Sequence, residues 1–519
     1  MLSDSYVSGS SSIDIVGMMY RELMEQSTFV TGLSGLYGSW NKRDRDDYAR
    51  KEKVYNECIR SLARRCCIMW FEGQYYMFNG MIYEPVRQDQ LNMAFQRFLE
   101  SVFIPEMFIT RGGMGSYKLN FLKTLEYENV LHPRFDIVAF RNGVLDMRTF
   151  SFTGFDKAYH VIDVKPFDYD PNAKCDLWQA FLREVLPDRA SRAILQMFLG
   201  LGLVERSTVF SDFANREQAK VEVCLLLIGK GSNGKSVIFQ TVMGVFGRNK
   251  VSSADYDAVT GNGDEGMRNR RLMRDKVFNW STENESTSFG KRDGVFKKMI
   301  SGEPTLDRKI GGDVTENFNI PYFVFSLNET PKMATYALLR RLQVIAFDVI
   351  IPEEKQNKSL AYELSKEYSG IFNWMARGAL EIKRRKFRFP QSIGGMRQKM
   401  LMKLRQNPVV AWVEAYGLSP VGRGHGELIS AQELYDSLDA FCTDNGVECP
   451  TKKKFGMTMG HSAKECLDFG SLRKMDGMYY QVFGCTRERL KEHLQVEHAD
   501  FSHYASFRNE QGSYLSEFD

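Results

Sequence analysis

The chain has 519 residues with 69 basic and 65 acidic side chains, a formal net charge of +4, an apolar share of 43% and an aromatic share of 13%. That balance excludes a disordered chain, and the length predicts roughly two to four domains. A near-neutral charge neither demands nor excludes a nucleic-acid partner, no run approaches the ~18 apolar residues of a membrane span, and nine cysteines without a CxxC pair exclude a zinc framework or a disulfide scaffold.

The first residues, MLSDSYVSGSSSIDIV, lack a basic start and an apolar stretch, so no signal peptide is expected and the protein is expected to be cytoplasmic. Residues 1–12 are rich in Ser and Gly and read as a disordered tail. The following block NKRDRDDYARKEK alternates in sign, which reads as a solvated helix face. CIMWFEGQYYMFNGMIYEPV reads as a β-hairpin turning at Asn79-Gly80, and FDIVAFRNGVLDMRTFSF as a second strand-turn-strand unit. Together residues 13–170 form an N-terminal α+β domain. Residues 171–214 form a helical module, its periodicity broken at Pro187-Asp188.

VEVCLLLIGKGSNGKSVIFQTVMGVFG is a buried-strand run, a glycine-rich turn and a helix. The turn Gly229-Lys230-Gly231-Ser232-Asn233-Gly234-Lys235-Ser236 is a complete GxxxxGK[ST] pattern. Its glycines let backbone N–H groups wrap phosphate oxygens, and the following helix N-terminus adds positive potential. Lys235 reaches the β/γ-phosphates and Ser236 ligates Mg²⁺, with Val237 continuing the helix. A nucleoside triphosphate is the ligand this predicts.

Hydrolysis also needs a carboxylate near the metal and the attacking water. In DKVFNWSTENES, Glu283 stands at the end of a strand and Glu285 two residues on; surface acids are the alternative. YFVFSL is a third strand, ending at Asn328, where open α/β sheets bind ligands. Turn chemistry is the alternative there. Arg340-Arg341 precede the strand LQVIAF; an arginine can stabilise the transferring phosphoryl, and a solvated edge is the alternative. Helices continue to Arg388, and Pro390 marks a boundary. Residues 215–390 thus form the nucleotide-binding domain. Within 405–485, helices followed by the hairpin SLRKMDGMYYQVFG read as a winged-helix-like domain. In 486–519, His493, His498 and His503 do not share a helical face, so a flexible tail is expected over a metal site.

The order and compact spacing of these signals resemble the superfamily 3 helicases, a branch of the AAA+ ATPases, and most closely the phage/plasmid primase–helicase family with its poxvirus relatives. The resemblance spans roughly residues 65–485. It rests on AFRNGVLDMRT, FDYDPNAKCDLWQAFLREVLPD, FKKMISGEPTLDRK, FSLNETPKM, LLRRLQVIAFD and GIFNWMARGALEIKRRKFRFP. The C-terminal NPVVAWVE, ELYDSLDAFCTDNG and KKKFGMTMG add to it. The resemblance implies an AAA+-type P-loop core. Gly229, Gly231, Ser232, Asn233, Gly234, Lys235, Ser236 and Val237 would line the nucleotide. Glu283 or Glu285 would be the catalytic acid, with Ser236 and Glu283 on the metal. Asn328 would be the sensor, and Arg340 or Arg341 the finger reaching a neighbouring subunit. LDRKIGGDVTENF resembles the pore hairpin, with Lys309 and Arg308 at its DNA-contacting positions.

The implied function is a replicative DNA helicase of a virus, phage or plasmid. It would form a homo-oligomeric ring, a hexamer, on single-stranded and forked DNA, with Lys452, Lys453 and Lys454 as phosphate contacts. A solvated helix start is the alternative for that lysine run. No polymerising carboxylate centre stands out in the first 200 residues, so a separate primase or polymerase is an expected partner. An ATP-switched initiator that marks or melts an origin without travelling uses the same nucleotide motifs. A protein-remodelling AAA+ enzyme fits the C-terminal domain and the hairpin lysine less well.

Overall fold

The computed structural model describes residues 15–26, 59–71, 73–102, 113–134, 136–203, 221–284, 289, 292–308, 313–317, 320–331, 335–421, 426–460 and 467–498. The expected disordered tail 1–12, the charged block NKRDRDDYARKEK and the last residues, His503 included, lie outside this set. Two compact units divide at Tyr169 and Asp170. No helix among the described residues is long and apolar enough to cross a membrane.

The first unit opens with α1 (Ile15–Gln26), then β1 (Ile68–Phe71), β2 (Gln74–Phe78) and β3 (Tyr83–Val86). The expected hairpin at Asn79-Gly80 is the β2–β3 pair, but Ile68–Phe71 adds a third antiparallel strand in front. Its four apolar residues read as the start of the same hairpin because the turn at Gly73 is short. Helices α2 (Gln88–Val102) and α3 (Gly113–Glu128) follow. Phe95 and Phe121 stack across them at 4.3 Å, in a core with Met19, Leu23, Tyr75 and Met77. A second sheet holds β4 (Ile137–Phe140), β5 (Gly143–Asp146), β6 (Phe152–Thr153) and β7 (Val164–Lys165) in the order β6-β5-β4-β7.

The second unit begins with α4 (Asp176–Val185) and α5 (Arg189–Leu201). Asp188 caps α5 by accepting from the amides of Ala190 and Ser191, as the break in the sequence anticipates. Residue Cys175 gives α4 no side-chain cap. Glu367, 190 positions away, supplies it instead, accepting from Leu177 N and Trp178 N at 3.1 and 3.0 Å.

The central sheet contains β8 (Cys224–Ile228), β9 (Val251–Ser252), β10 (Phe278–Asn284), β13 (Tyr322–Leu327) and β14 (Leu342–Ala346). Its order is β14-β8-β13-β10-β9, and every pairing is parallel. Both faces are covered, which is why CLLLI and YFVFSL are buried throughout. The helices between strands are α6 (Lys235–Phe246), α7 (Tyr256–Thr260), α8 (Gly263–Arg271), α9 (Asp293–Ile300) and α10 (Tyr336–Leu339). One face packs Phe323 and Phe325 against Tyr256, Phe289 and Phe296. The other packs Phe278 against Phe198 and Phe246, and Trp280 against Phe239. A separate two-stranded hairpin, β11 (Thr305–Arg308) and β12 (Val314–Asn317), stands outside this sheet.

After the sheet come α11 (Leu360–Ser365), α12 (Tyr368–Arg384), α13 (Ile393–Gln406) and α14 (Pro408–Tyr416). Then follow β15 (Glu427–Ser430), α15 (Ala431–Asp444), α16 (Lys452–Met459), β16 (Ser471–Lys474) and β17 (Gly477–Val482), with strand order β15-β17-β16. Ser430 and Glu433 form a capping box on α15. Trp412, Phe441, Phe455 and Tyr480 fill the core.

Residues 486–498 do not form the flexible tail expected from residue 486. Leu490 and Val496 are buried in this core, Tyr416 donates to Glu492 O, and Asn445 bonds both Leu494 O and Val496 N. The apolar anchors Leu490 and Val496, not the histidines, decide where the segment lies; His493 pairs with Asp444 at 2.9 Å.

Candidate functional site: a phosphate loop at the strand ends

Strand β8 ends at Ile228, and residues 229–234 turn into α6. A side chain at Gly229 would meet Phe347 O at 2.5 Å and the Asn233 amide at 2.6 Å, so only glycine fits. Gly234 has φ +83°, and a Cβ there would stand 2.9 Å from Phe181 and Val185 of α4. Ser232 also takes a left-handed φ of 57°, and its carbonyl accepts from Ile351 N at 2.8 Å. Asn233 is buried and donates to Lys230 O at 3.1 Å. The loop is therefore held from three sides: by its own asparagine, by α4 and by the strap after β14. Gly231 faces open space.

Lys235 is the first residue of α6 and is 8% exposed. Its ammonium donates to Gly229 O, so it lies across the loop. Burial pushes its pKa below the ordinary lysine value. Ser236 is exposed beside it and Val237 half-buried. This cradle fits a polyphosphate: a glycine turn too tight for side chains, a helix N-terminus, a buried cation and an accessible hydroxyl.

The neighbouring strands end in line with β8. Leu327 pairs with Ile228, and Asn284 with Leu327. Adjacent strands lie about 4.8 Å apart, so the start of the loop, Asn328 and the end of β10 share one rim of the sheet. Asn328 is exposed there. Glu283 is the penultimate residue of β10, inside an irregularity between Ser281 and Asn284. Glu285 lies outside the described residues.

The arginines sit elsewhere. Arg340 and Arg341 precede β14, at the opposite rim of the sheet, where Arg341 O accepts from Cys224 N. Arg341 is engaged within its own chain, with Glu222 at 2.9 Å and Ala337 O at 2.7 Å. Arg340 is exposed. The expectation that Arg341 reaches a neighbour therefore conflicts with its placement, because its guanidinium is turned inward onto Glu222.

Of the expected DNA contacts, Arg308 pairs with Asp264 at 2.9 Å. Lys309 lies outside the described residues. Lys452, Lys453 and Lys454 are exposed on the first turn of α16, and Lys452 also donates to Gln432 at 2.7 Å. No cluster of three or more metal-ligating side chains occurs among the described residues. Sequence reasoning missed Phe181, Val185, Phe347 and Ile351, which shape the loop from distant segments and carry no local motif.

A family model described as D5 N terminal like matches residues 132–187, and one described as a family of unknown function (DUF5906) matches residues 227–341. Both domains are typical of the superfamily 3 helicases of phage/plasmid primase–helicases. The second match runs from the end of β8 through Arg341, and so covers the glycine-rich loop, β10, the hairpin and β13. Among solved structures, the apo A form of the NrS-1 C-terminal region (305–718) is similar at 13% identity and a TM-score of 0.42, covering 72% of this chain and 78% of that chain. A second A-form apo structure of that region aligns at 12% identity and a TM-score of 0.42, over 80% of this chain and 94% of that chain. No curated protein matches the sequence.

Proposed function

We propose that this protein is an ATP-dependent replicative DNA helicase of a virus, phage or plasmid, acting in the cytoplasm of the host cell as a homo-oligomeric ring on single-stranded and forked DNA. The observation that carries the reading is the loop Gly229–Ser236 sharing one sheet rim with Asn328 and Glu283, while Arg340 is exposed at the other. A chain so built cannot bring Arg340 to its own loop, since five residues of β8 at about 3.3 Å each separate the two rims. The arginine suits a neighbour's loop, which favours a ring; six subunits is the expected number.

In this reading, backbone amides of 229–234 and Lys235 hold the phosphates of ATP. Ser236 and Glu283 are the residues to hold Mg²⁺, which when bound neutralises phosphate charge. Glu283 or Glu285 orients and deprotonates the attacking water, and Asn328 senses the terminal phosphate. Arg340 of the next subunit stabilises charge on the transferring group. Lys309, the residue after β11 in sequence, grips a backbone phosphate without reading sequence, as a translocating motor requires.

The succession α14, β15, α15, α16, β16, β17, with sheet order β15-β17-β16, supports reading the C-terminal module as a winged helix. Its exposed α16 lysines and the ribbon residues Leu472, Met475 and Met478 then face duplex DNA.

The test is ATP-dependent strand displacement on forked DNA with a 3′ or a 5′ arm, beside Lys235→Ala. Wild-type unwinding that the variant lacks supports the helicase, and arm preference gives polarity. Lys309→Ala should lose unwinding but keep ATP binding. DNA-stimulated hydrolysis without displacement would replace this reading with an ATP-switched initiator.

A further inference from the structure

Among the described residues, the hairpin β11–β12 makes no ladder to the central sheet. It is gripped at its base by α8 and the turn after it. Asp307 of β11 is fully buried and receives a two-point ion pair from Arg274 at 2.9 and 3.0 Å, with Arg271 at 3.6 Å. Arg274 also donates to Thr315 Oγ1 and to Glu316 O of β12, both at 3.1 Å. One guanidinium thus ties both strands together. Arg308 closes the outer side onto Asp264.

Arg270 extends the grip in the other direction. Its Nε donates to Leu306 O of β11 at 3.1 Å, and its Nη1 to Gly261 O, just beyond α7, at 2.8 Å. Helix α7 in turn is pinned to β10. Asn284 Oδ1 accepts from Tyr256 N at 3.2 Å, and Asn279 bonds both the N–H and the carbonyl of Ala254, at 3.0 and 2.8 Å. The Asn284 amide also donates to Ser326 O of β13 at 3.2 Å. Asn284 therefore touches the end of the strand bearing Glu283, the end of the strand leading to Asn328, and the start of α7. Tyr256 itself is locked among Phe289, Phe296 and Phe325.

We propose that α7, α8 and the β11–β12 hairpin move as one lever, that Asn284 is the positioning residue joining the lever to the hydrolysis rim, and that Arg270 is the positioning residue joining it to the hairpin. A change of the β10 and β13 ends on nucleotide binding shifts the Asn284 amide. That shift reorients α7 through Tyr256 N, and Arg270 and Arg274 carry it to β11 and β12. Coupling of this kind needs packed, doubly bonded elements that move as units, and every joint here has at least one buried or paired polar contact. The proposal rests on reading Gly229–Ser236 as the triphosphate site, but not on translocation.

The test is amide hydrogen exchange of the peptide spanning 305–317, with and without a non-hydrolysable ATP analogue and Mg²⁺, in wild type, Arg270→Lys and Arg274→Lys. Both variants keep the charge but lose the fork that bonds two elements at once. The expected result is a nucleotide-dependent change in hairpin exchange in wild type that is lost in both variants, while analogue affinity and basal hydrolysis persist. A merely structural role would instead lower the melting temperature and weaken binding together. An unchanged response in a folded variant overturns the lever, and so does a wild-type hairpin that ignores bound nucleotide. Analogue that does not bind wild type removes the triphosphate reading itself. Absence of strand displacement with the hairpin response intact counts against the helicase only.

Discussion

The guanidinium of Arg341 meets the carboxylate of Glu222 at 2.9 Å, both within one chain, and Glu222 also accepts from Ser301. The pair is largely sheltered, at 11% and 24% side-chain exposure. Adjacent Arg340, by contrast, is exposed. Arg340→Ala should lower kcat by about 10³- to 10⁵-fold with an unchanged melting temperature. Arg341→Ala should instead cost about 1–3 kcal/mol of stability by stranding Glu222. Mixing Arg340→Ala with Lys235→Ala protein should restore some hydrolysis, because each then supplies what the other lacks. No recovery on mixing would argue for a finger acting within its own chain.

The catalytic acid can be separated by paired amide variants. Glu283→Gln should reduce turnover by about 10²- to 10⁴-fold while ATP still binds, and Glu285→Gln should do so less. Single-turnover hydrolysis beside equilibrium nucleotide binding reads both. A larger loss at Glu285 would move the role there.

Burial lowers the Lys235 pKa, whereas bound phosphates favour its charged form. At alkaline pH, ATP binding should therefore take up a proton, and affinity should fall as pH rises through the lowered pKa. Calorimetry in two buffers of different ionisation enthalpy measures the uptake; identical heats would contradict it. For folding the sign is separate. The unfolded lysine keeps its proton to higher pH, so the stability cost of burying this ammonium is full below the lowered pKa and fades as pH rises toward the ordinary value.

Glu367 caps a helix that its own sequence leaves uncapped. Glu367→Ala should destabilise the second unit by about 1–2 kcal/mol, with Glu367→Gln closer to wild type. Since Phe181 and Val185 of the same helix abut Gly234, nucleotide affinity should fall alongside stability. Denaturant melts with and without ATP test both.

Lys453 and Lys454 are exposed on α16. If they contact phosphates, replacing both with alanine should reduce the slope of log affinity for duplex against log salt by about 2. An unchanged slope would leave them as a solvated helix start.

Much of the candidate site was legible because its signals are local. The strand CLLLI, the glycine turn and the helix from Lys235 follow one another, and YFVFSL is a strand at the residues its composition predicts. What joins distant segments was not legible. Nothing near Arg341 announces Glu222, nothing in α4 announces Glu367, and nothing in the hairpin announces Arg270 or Arg274. The arginines of α8 and of the turn after it carry no local motif, yet Arg270, Arg271 and Arg274 hold the hairpin. The docking of residues 486–498 was not legible because histidine spacing is the visible pattern there, whereas Leu490 and Val496 have the area to bury.

The sheet order also governs how the protein can be made. Strand β8 lies between β13 and β14, and both are synthesised long after it. Until Leu342–Ala346 leave the ribosome, the five apolar residues Cys224–Ile228 have one edge without a backbone partner. Such a segment is a template for intermolecular pairing. A shorter chain ending before Leu342 would keep every residue of the phosphate loop and yet collect in inclusion bodies, because the strand that carries the loop depends for its solubility on one of the last strands of its sheet.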